Sequence, residues 1–585
     1  NLKKQMLRLK NLALTLAVLN GIAIFVFLTS SGILQSKEEP YLQEQIESKF
    51  FYNKTLGAEL LDLLEKYEVM PLHYYNVGRT PSKEIGKVYL GVKHDPDYCK
   101  KVRHAVAEDP DVFFNELNFL TDDLPDTLIR EKIIPRLGRD TLPNTTYAKI
   151  PKANSTVPRW FMDPKTTMYY IHAIMHYYHE LGKEIGCLFQ GYNHVAGMAT
   201  LFRKDLIARS AVNYTYKYKD KPQCFDHTKF FPKTLSLDNK TECLEFFDYI
   251  KSEEYQQEKE ERSIVFIRKI SVGSHQGKGV QPVDEEEEKN LTAEYGGGKL
   301  CGKNMKSVIV QRYIHNPLLV KNHKFDFRIY MMVASVNPMI VYYHDGFLRV
   351  SLFEYDVTKN EKAMHLTNTA QSRLAMKKAM EGGAKNQTEL EDFQFWNLTR
   401  FTDYLVEIGK IEDRSWLDNY LRPQFQHAMQ HLIRMTQNTF YPISSSWKLL
   451  GIDFMLDEDL KLWFIEANVG PELKGSPKAK EIMMTRMVYD MFEIVTAYLK
   501  SRLKRAIKYI NWLERSGQIS YGDNGEVIVQ KLAQRQHEYS EITKNYLDEE
   551  FEISADNTWI KIIDDNIDGL DRYNGMFNIE CFDLS

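Results

Sequence analysis

The sequence predicts a mixed α/β (α+β) protein, with antiparallel sheets and flanking helices, preceded by a single membrane-crossing helix. Three observations predict it. A largely apolar run over residues 12–34, "LALTLAVLNGIAIFVFLTSSGIL", is long enough to cross a bilayer as a helix. Downstream, "SVIVQRYI", "DFRIYMMVASV", "MIVYYH" and the two halves of "GIDFMLDEDLKLWFIEANVGP" read as strands. Helical spacing of apolar residues begins near Trp416 and returns in an amphipathic stretch over residues 485–513.

Each element has its own reason. Lys3, Lys4, Arg8 and Lys10 precede the apolar run and Glu38, Glu39 and Glu44 follow it, so the positive-inside tendency leaves the N-terminus cytosolic and the rest of the chain lumenal. A cleaved signal peptide ending near Ser30-Ser31-Gly32 is the competing reading. Eight N-x-[ST] sequons, at Asn53, Asn144, Asn154, Asn213, Asn239, Asn290, Asn386 and Asn397, agree with a lumenal domain. The stretch "MYYIHAIMHYYHELGKEIG" reads as an aromatic helix, on which His172 and His176 have metal-ligand spacing but lack the glutamate of H-E-x-x-H; they receive no role. "VDEEEEKNLTAEYGGGK", residues 283–299, reads as a solvated loop. Of six cysteines, Cys224 and Cys243 are the closest pair in sequence, and free buried thiols are as good a reading as a bridge. At 585 residues, with 43% hydrophobic and 27% charged, the chain can bury a large core in several domains. Its net charge of −4 excludes a generally basic, polyanion-binding surface, so nucleic acid is not indicated.

The chemistry concentrates in three places. In "GIDFMLDEDLKLWFIEANVGP" a four-residue connection at 457–460, pairing Leu456 with Lys461, puts Asp453, Glu466 and Asn468 on one face. Grouped acids on a sheet face imply a hard cation, magnesium first, although an exposed face with ordinary acids reads equally well for one hairpin alone. "SIVFIRKISVGSHQGKGV" ends an apolar strand at Arg268 and Lys269 and continues into a loop with Gly273, Gly277 and Gly279, where backbone N–H groups can approach a phosphate. "KFDFRIYMMV" sets Lys324, Asp326 and Arg328 on one strand face, and "YYHDGFLRVS" adds Arg349. A positive cluster facing a metal-binding one is what a magnesium–triphosphate needs.

These residues resemble the tubulin tyrosine ligase-like enzymes, which have the ATP-grasp fold. The resemblance rests on an ordered series: "NHVAGMATLFRKDLIAR", "FIRKISVGSHQGKGV", "VIVQRYIHNPLLV", "KFDFRIYMMV", "GFLRVS", "HLTNTAQS" and the hairpin above. The motifs run from about 190 to 471; the resemblance does not cover the anchor (1–36), the poorly defined extension (37–155) or the acidic appendage (516–585), and it implies an N-terminal domain of the ligase module (156–262), a central ATP-grasp domain (263–320) and a C-terminal ATP-grasp domain with the magnesium site (321–515). By the same resemblance Lys269 contacts nucleotide phosphates, and Gln311, Arg312, Tyr313 and Ile314 form the hinge over adenine. Lys324 and Asp326 hold the nucleoside and phosphate region, while Arg328 and Arg349 serve phosphate or the amino-acid carboxylate. His365, Leu366, Thr367 and Asn368 line the ribose and γ-phosphate side, and Asp453, Glu466 and Asn468 bind magnesium.

The implied activity is ATP- and magnesium-dependent joining of a free amino acid (tyrosine, glutamate or glycine) to a protein carboxylate, tubulin by resemblance, through an acyl phosphate. The alternatives are a secretory-pathway acceptor and an inactive nucleotide-binding scaffold. Lys500, Lys504, Arg505 and Lys508 form a basic ridge that could meet an acidic tail, or simply a solvated helix face. The family's cytosolic substrate sits uneasily with an anchor that makes this a single-pass membrane protein with a lumenal catalytic domain; a cytosolic, cytoskeleton-associated domain is the alternative. The phosphate loop also departs from the family pattern, in which many members have proline after the lysine and a loop shorter by one residue.

Overall fold

The computed structural model describes three short strands, β1 (Phe119–Thr121), β2 (Ala148–Lys149) and β3 (Met168–Tyr170), and most of the chain from Gly191 to Asp565, with 272–278, 357–366, 368–375, 441–445, 522–526 and 530–546 among the stretches left out. The 12–34 run, His172 and His176 lie outside the described residues. Among the described residues no helix is long and apolar enough to cross a membrane.

β1, β2 and β3 join β4 (Gly191–Tyr192) in a sheet of order β2-β1-β3-β4 whose pairs are all parallel, unlike the antiparallel sheets the sequence predicts. Met168–Tyr170 is therefore a strand and not the start of a helix. Tyr169 and Tyr170 are strand-favouring residues, and pairing to β1 and β4 on both sides decides against the local helical spacing.

Helices α1 (Ala199–Phe202) and α2 (Lys204–Lys217) lead into the central unit. Its sheet holds β5 (Thr234–Ser236), β6 (Phe266–Ile270), β7 (Val280–Pro282) and β8 (Val308–Arg312) in the antiparallel order β5-β8-β6-β7. Helices α3 (Lys240–Tyr249), α4 (Glu253–Glu261) and α5 (Glu285–Glu294) cover one side of it, burying Phe246, Phe247, Tyr255 and Leu291 against Phe266, Val308 and Val310. The edge strand β5 thus comes from the 156–262 stretch. The acidic run 283–299 is mostly helix rather than loop. Asp284 accepts a hydrogen bond from the Glu287 N–H at 2.9 Å as N-cap, and Glu285, Glu286, Glu287 and Glu288 sit at the positive end of the helix dipole. Gly296, Gly297 and Gly298 then turn the chain with φ of 57°, 59° and 103°, which returns it to α3, where Cys301 is bonded to Cys243. Cys243 is therefore neither free nor paired with Cys224; its partner lies 58 residues away, beyond any local signal.

The larger sheet runs β12-β11-β10-β13-β14, antiparallel throughout: β10 (His323–Val336), β11 (Met339–Glu354), β12 (Phe395–Asn397), β13 (Lys448–Leu456) and β14 (Leu462–Asn468), with β9 (Leu319–Val320) beside β10. Helix α6 (Gln387–Gln394) leads into β12, and α7 (Leu398–Glu407) and α8 (Arg422–Thr436) cover one face, where Phe325, Phe327, Ile329, Met331 and Val333 of β10 meet Phe401, Phe425 and Met429. Helix α9 (Lys478–Arg515), longer at both ends than the 485–513 reading, covers the other with Met484, Met487, Val488, Met491 and Val495 at helical spacing. It packs on Tyr330, Met332 and Ala334, the alternate residues of β10. On that same face Lys324, Asp326 and Arg328 precede them and belong to neither apolar cluster. Arg505 of the predicted basic ridge is only 7% exposed, so it is not part of a solvated face.

Beyond α9, β15 (Ile519–Tyr521) and β16 (Val527–Val529) pair as a hairpin, and β17 (Ile560–Asp564) adds to β11 across Ile340–Tyr343. Part of the predicted appendage is thus inside the large sheet. Trp559, Ile562 and Ile563 are buried, the Trp559 indole N–H donates to the Met487 carbonyl at 3.0 Å, and Gln430 donates to the Ile562 carbonyl at 2.7 Å.

Candidate active site

Strand register assembles the charged site. Asp326 on β10 faces Arg349 on β11, Arg328 faces Asp453 on β13, and Asp453 faces Glu466 on β14. Arg349 donates to both Asp326 oxygens at 2.6 and 2.7 Å and to Asp453 at 2.8 Å; Arg328 donates to both Asp453 oxygens at 2.6 and 3.1 Å. Two guanidiniums and two carboxylates form one bidentate lattice, the geometry in which buried charges offset their desolvation. Burial opposes the charge on Arg349, and the carboxylates of Asp326 and Asp453 overcome it and raise its pKa.

The hairpin reaches this arrangement by a different register from the predicted one. Leu456 pairs with Leu462, not Lys461, because the connection is one residue longer. Left alone, that slip would turn Glu466 and Asn468 to the opposite face from Asp453. A bulge at Ile465, between the pairs Phe454–Phe464 and Asp453–Glu466, adds a second residue and restores the face. The Asn468 amide donates to Asp453 at 3.2 Å and Glu466 at 3.3 Å, so the three predicted ligands do meet. Gly451 makes room for them: a Cβ there would lie 2.8 Å from Arg328 Cδ and 3.0 Å from Pro471 Cβ. Gly346 is more constrained, its Cβ falling 1.6 Å from the Arg328 carbonyl oxygen.

Two lysines lie over this lattice. Lys269 is 6% exposed and donates to Gln311 Oε1 at 2.6 Å; Lys324 is 2% exposed and donates to the Tyr313 hydroxyl at 2.9 Å, 4.5 Å above that ring. Burial lowers both, Lys269 to about 8 despite Glu466, and Lys324 to about 7 despite Asp326. Among the described residues neither amine has a carboxylate within salt-bridge distance. Gln311 and Tyr313 alternate with Arg312, whose side chain points away to Glu258 at 2.6 Å and over Tyr249. Only the backbone of Arg312 can therefore face a ligand beside Gln311 and Tyr313. Ile314 lines a cleft together with Arg312 and Tyr313. Thr367 donates to Asp326, while His365, Leu366 and Asn368 lie outside the described residues.

Sequence reading gave no role to Lys204, which pairs with Glu466 at 3.1 Å. Burial would raise Glu466, but Lys204, Lys269 and Arg349 outweigh it and hold it at about 2. The flanking residues tie the same turn to the central sheet. Arg203 binds Asp205 at 2.7 Å and reaches Ser307 at 3.5 Å, and the Asp205 N–H donates to Ser271 at 3.2 Å, at the start of the glycine loop. The run "RKD" was visible, but nothing in its spacing says that it crosses to residue 466.

The donor set fits magnesium: Asp453, Glu466 and Asn468 supply carboxylate and amide oxygens from adjacent strands, with no sulfur or imidazole among them. A cleft of about 940 Å³ lies beside this cluster, bounded by Arg209 and Asn213 of α2, β5, Tyr313, Ile314 and the Asp457–Asp459 turn. None of Lys269, Lys324, Asp453 and Glu466 lines it, although Arg312, Tyr313 and Ile314 do, and the Tyr313 hydroxyl accepts from Lys324.

An antiparallel central sheet and a larger antiparallel sheet, with Lys269 of the first facing Glu466 and Asp453 of the second, define an ATP-grasp architecture. The profile of the tubulin-tyrosine ligase family matches residues 183–504, more than half of the chain, and the chain belongs to that family. It is similar to the inactive polyglycylase TTLL10 of Homo sapiens (25% identical over 287 residues, 47% of this chain and 40% of that protein). It is also similar to tubulin glycylase 3C of Tetrahymena thermophila (30% over 205 residues, 34% of this chain and 18% of that protein) and to tubulin polyglutamylase TTLL5 of Mus musculus (32% over 199 residues, 32% and 14%). The matched region therefore spans less than half the length of each of these relatives.

Proposed function

We propose that the protein is an ATP-dependent ligase that joins the amine of a free amino acid to a carboxylate on a protein acceptor. The observation that carries this reading is the buried lattice of Arg328, Arg349, Asp326 and Asp453, continuous with Glu466 and Asn468 and overlaid by Lys269 and Lys324. An acceptor carboxylate oxygen attacks the γ-phosphorus of ATP, ADP leaves, and the amine then attacks the acyl carbon and expels phosphate with loss of its proton. Lys269 and Lys324 hold phosphate oxygens; Arg328 and Arg349, fixed by their acids, present N–H groups to the charge that grows on the transferred group. Asp453, Glu466 and Asn468 would hold magnesium, which supplies further charge neutralisation when bound. Relatives named as tubulin glycylases and a tubulin polyglutamylase support an acidic protein tail as acceptor and glycine or glutamate as the amino acid. A relative named inactive raises the scaffold reading; the intact set of Lys269, Asp453, Glu466 and Asn468 favours activity.

The test is incorporation of labelled glycine, glutamate or tyrosine by the purified protein with ATP and magnesium, using tubulin and secretory-pathway protein as separate acceptors. Turnover should require magnesium and be lost in Glu466→Gln. ATP turnover unchanged in that variant would sink the site assignment.

A further inference from the structure

We infer that this ligase module matures in an oxidising, glycosylating compartment, with the Cys243–Cys301 bond formed and N-linked glycans on Asn213 and Asn290. Resting on the proposed ligase activity, the consequence is that the acceptor is a protein carboxylate met in that compartment.

Two independent observations carry this. The first is the bond itself. Cys243 and Cys301 have Cα atoms 5.6 Å apart, within the range a disulfide spans without backbone movement. They are 0% and 4% exposed, in the same apolar cluster as Phe246, Phe247, Leu291 and Tyr295. The chain is shaped to deliver Cys301 there: besides the glycine turn, Gly302 has φ of 74° and passes so near α3 that a Cβ would lie 2.9 Å from Lys240 Cβ. Such bonds persist in oxidising compartments and are rare in the cytosol.

The second is what the sequons do in the fold. Five fall within the described residues. Asn239, Asn386 and Asn397 are the N-caps of α3, α6 and α7, each accepting a backbone N–H, so the fold itself gives a reason for asparagine there. Asn213 and Asn290 lie inside α2 and α5, where asparagine is among the poorer helix formers and is not an N-cap; the Asn290 amide donates to the Glu287 carboxylate one turn back. Both are exposed and neither belongs to the charged lattice; Asn213 stands at the border of the cleft and Asn290 is not among the residues that line it.

The full chain should be expressed in cultured animal cells, with thiols alkylated before lysis. Peptide N-glycosidase should lower its mass, and Asn213→Gln and Asn290→Gln should each remove one glycan step. Peptide mapping without reductant should recover Cys243 and Cys301 in one linked species. Both cysteines alkylated, or a chain with no glycosidase-sensitive mass, overturns the compartment; glycosylation unchanged by either substitution overturns the site assignment. The cell-derived protein is then assayed with ATP, magnesium and labelled amino acid: label on tubulin but on no secretory-pathway protein overturns the acceptor inference. Because glycans and thiols are read without any activity measurement, failure of the ligase reading is distinguishable from failure of this one.

Discussion

Replacing Arg349 with lysine keeps the charge and removes the fork. Arg349 spans Asp326 and Asp453 with three charge-assisted bonds of 2.6, 2.7 and 2.8 Å, whereas an ammonium on a flexible stem cannot hold both carboxylates in that geometry. The side chains of Arg349, Asp326 and Asp453 are 12%, 8% and 4% exposed, so water cannot substitute freely for the lost donors. A hydrogen bond to a charged group contributes about 1.5–3 kcal/mol, and a buried carboxylate left without its partner costs about 3–5 kcal/mol. Lysine retains one contact and the neutralising charge, which leaves a loss of about 3 kcal/mol, or roughly a hundredfold in an equilibrium or a rate. Urea unfolding followed by tryptophan fluorescence should show a lower midpoint at unchanged slope, and ATP turnover should fall by about two orders of magnitude. A variant with the parental midpoint and turnover would show that the lattice neither stabilises the sheet nor positions the reacting charge.

Truncation after residue 515 removes buried Trp559, Ile562 and Ile563, worth about 1.5–3 kcal/mol each, and should lower the unfolding free energy by about 5 kcal/mol while exposing the edge of β11; an unchanged urea midpoint would show that β17 is dispensable. Gly451→Ala places a methyl 2.8 Å from Arg328 Cδ and should cost about 1–3 kcal/mol together with most of the turnover, checked by unfolding and kinetics side by side. ATP affinity should depend on pH with a definite sign. Burial puts Lys324 at about 7 and Lys269 at about 8 without ligand, and bound phosphate raises both. Affinity is then greatest below about pH 7 and weakens above it, by at most about tenfold per pH unit for each lysine. A calorimetric titration series that stays flat from about pH 6 to about pH 9 would refute the phosphate role of these amines.

The parts of this site that were legible in the sequence are those set by period two. Lys324, Asp326 and Arg328 on one face of β10 followed from alternation, as did the strands around them. The three hairpin ligands were placed on one face for an incomplete reason. A longer turn and a bulge each reverse the face and together cancel, a compensation that alternation cannot reveal. What was not legible is non-local: Lys204 meeting Glu466, Cys301 meeting Cys243, β17 pairing with β11. The acidic run 283–299 failed differently. Charge density suggested solvation, but four glutamates behind an aspartate cap stabilise a helix start, and Leu291 gives that helix something to bury.

The pairing of β17 with β11 also sets an order of events during synthesis. Residues 340–343 leave the ribosome more than two hundred residues before the strand that covers their edge, so through that stretch of synthesis they present unpaired N–H and C=O groups beside a sheet rich in Val, Ile and Tyr. Domains fold broadly from the N-terminal side as they emerge, and the sheet that carries Asp326, Arg349 and Asp453 cannot be completed until residue 564 is free. The nascent chain at that stage is a template for strand addition from another chain, and a chaperone that shields the β11 edge would act there, at a strand whose other end carries Arg349.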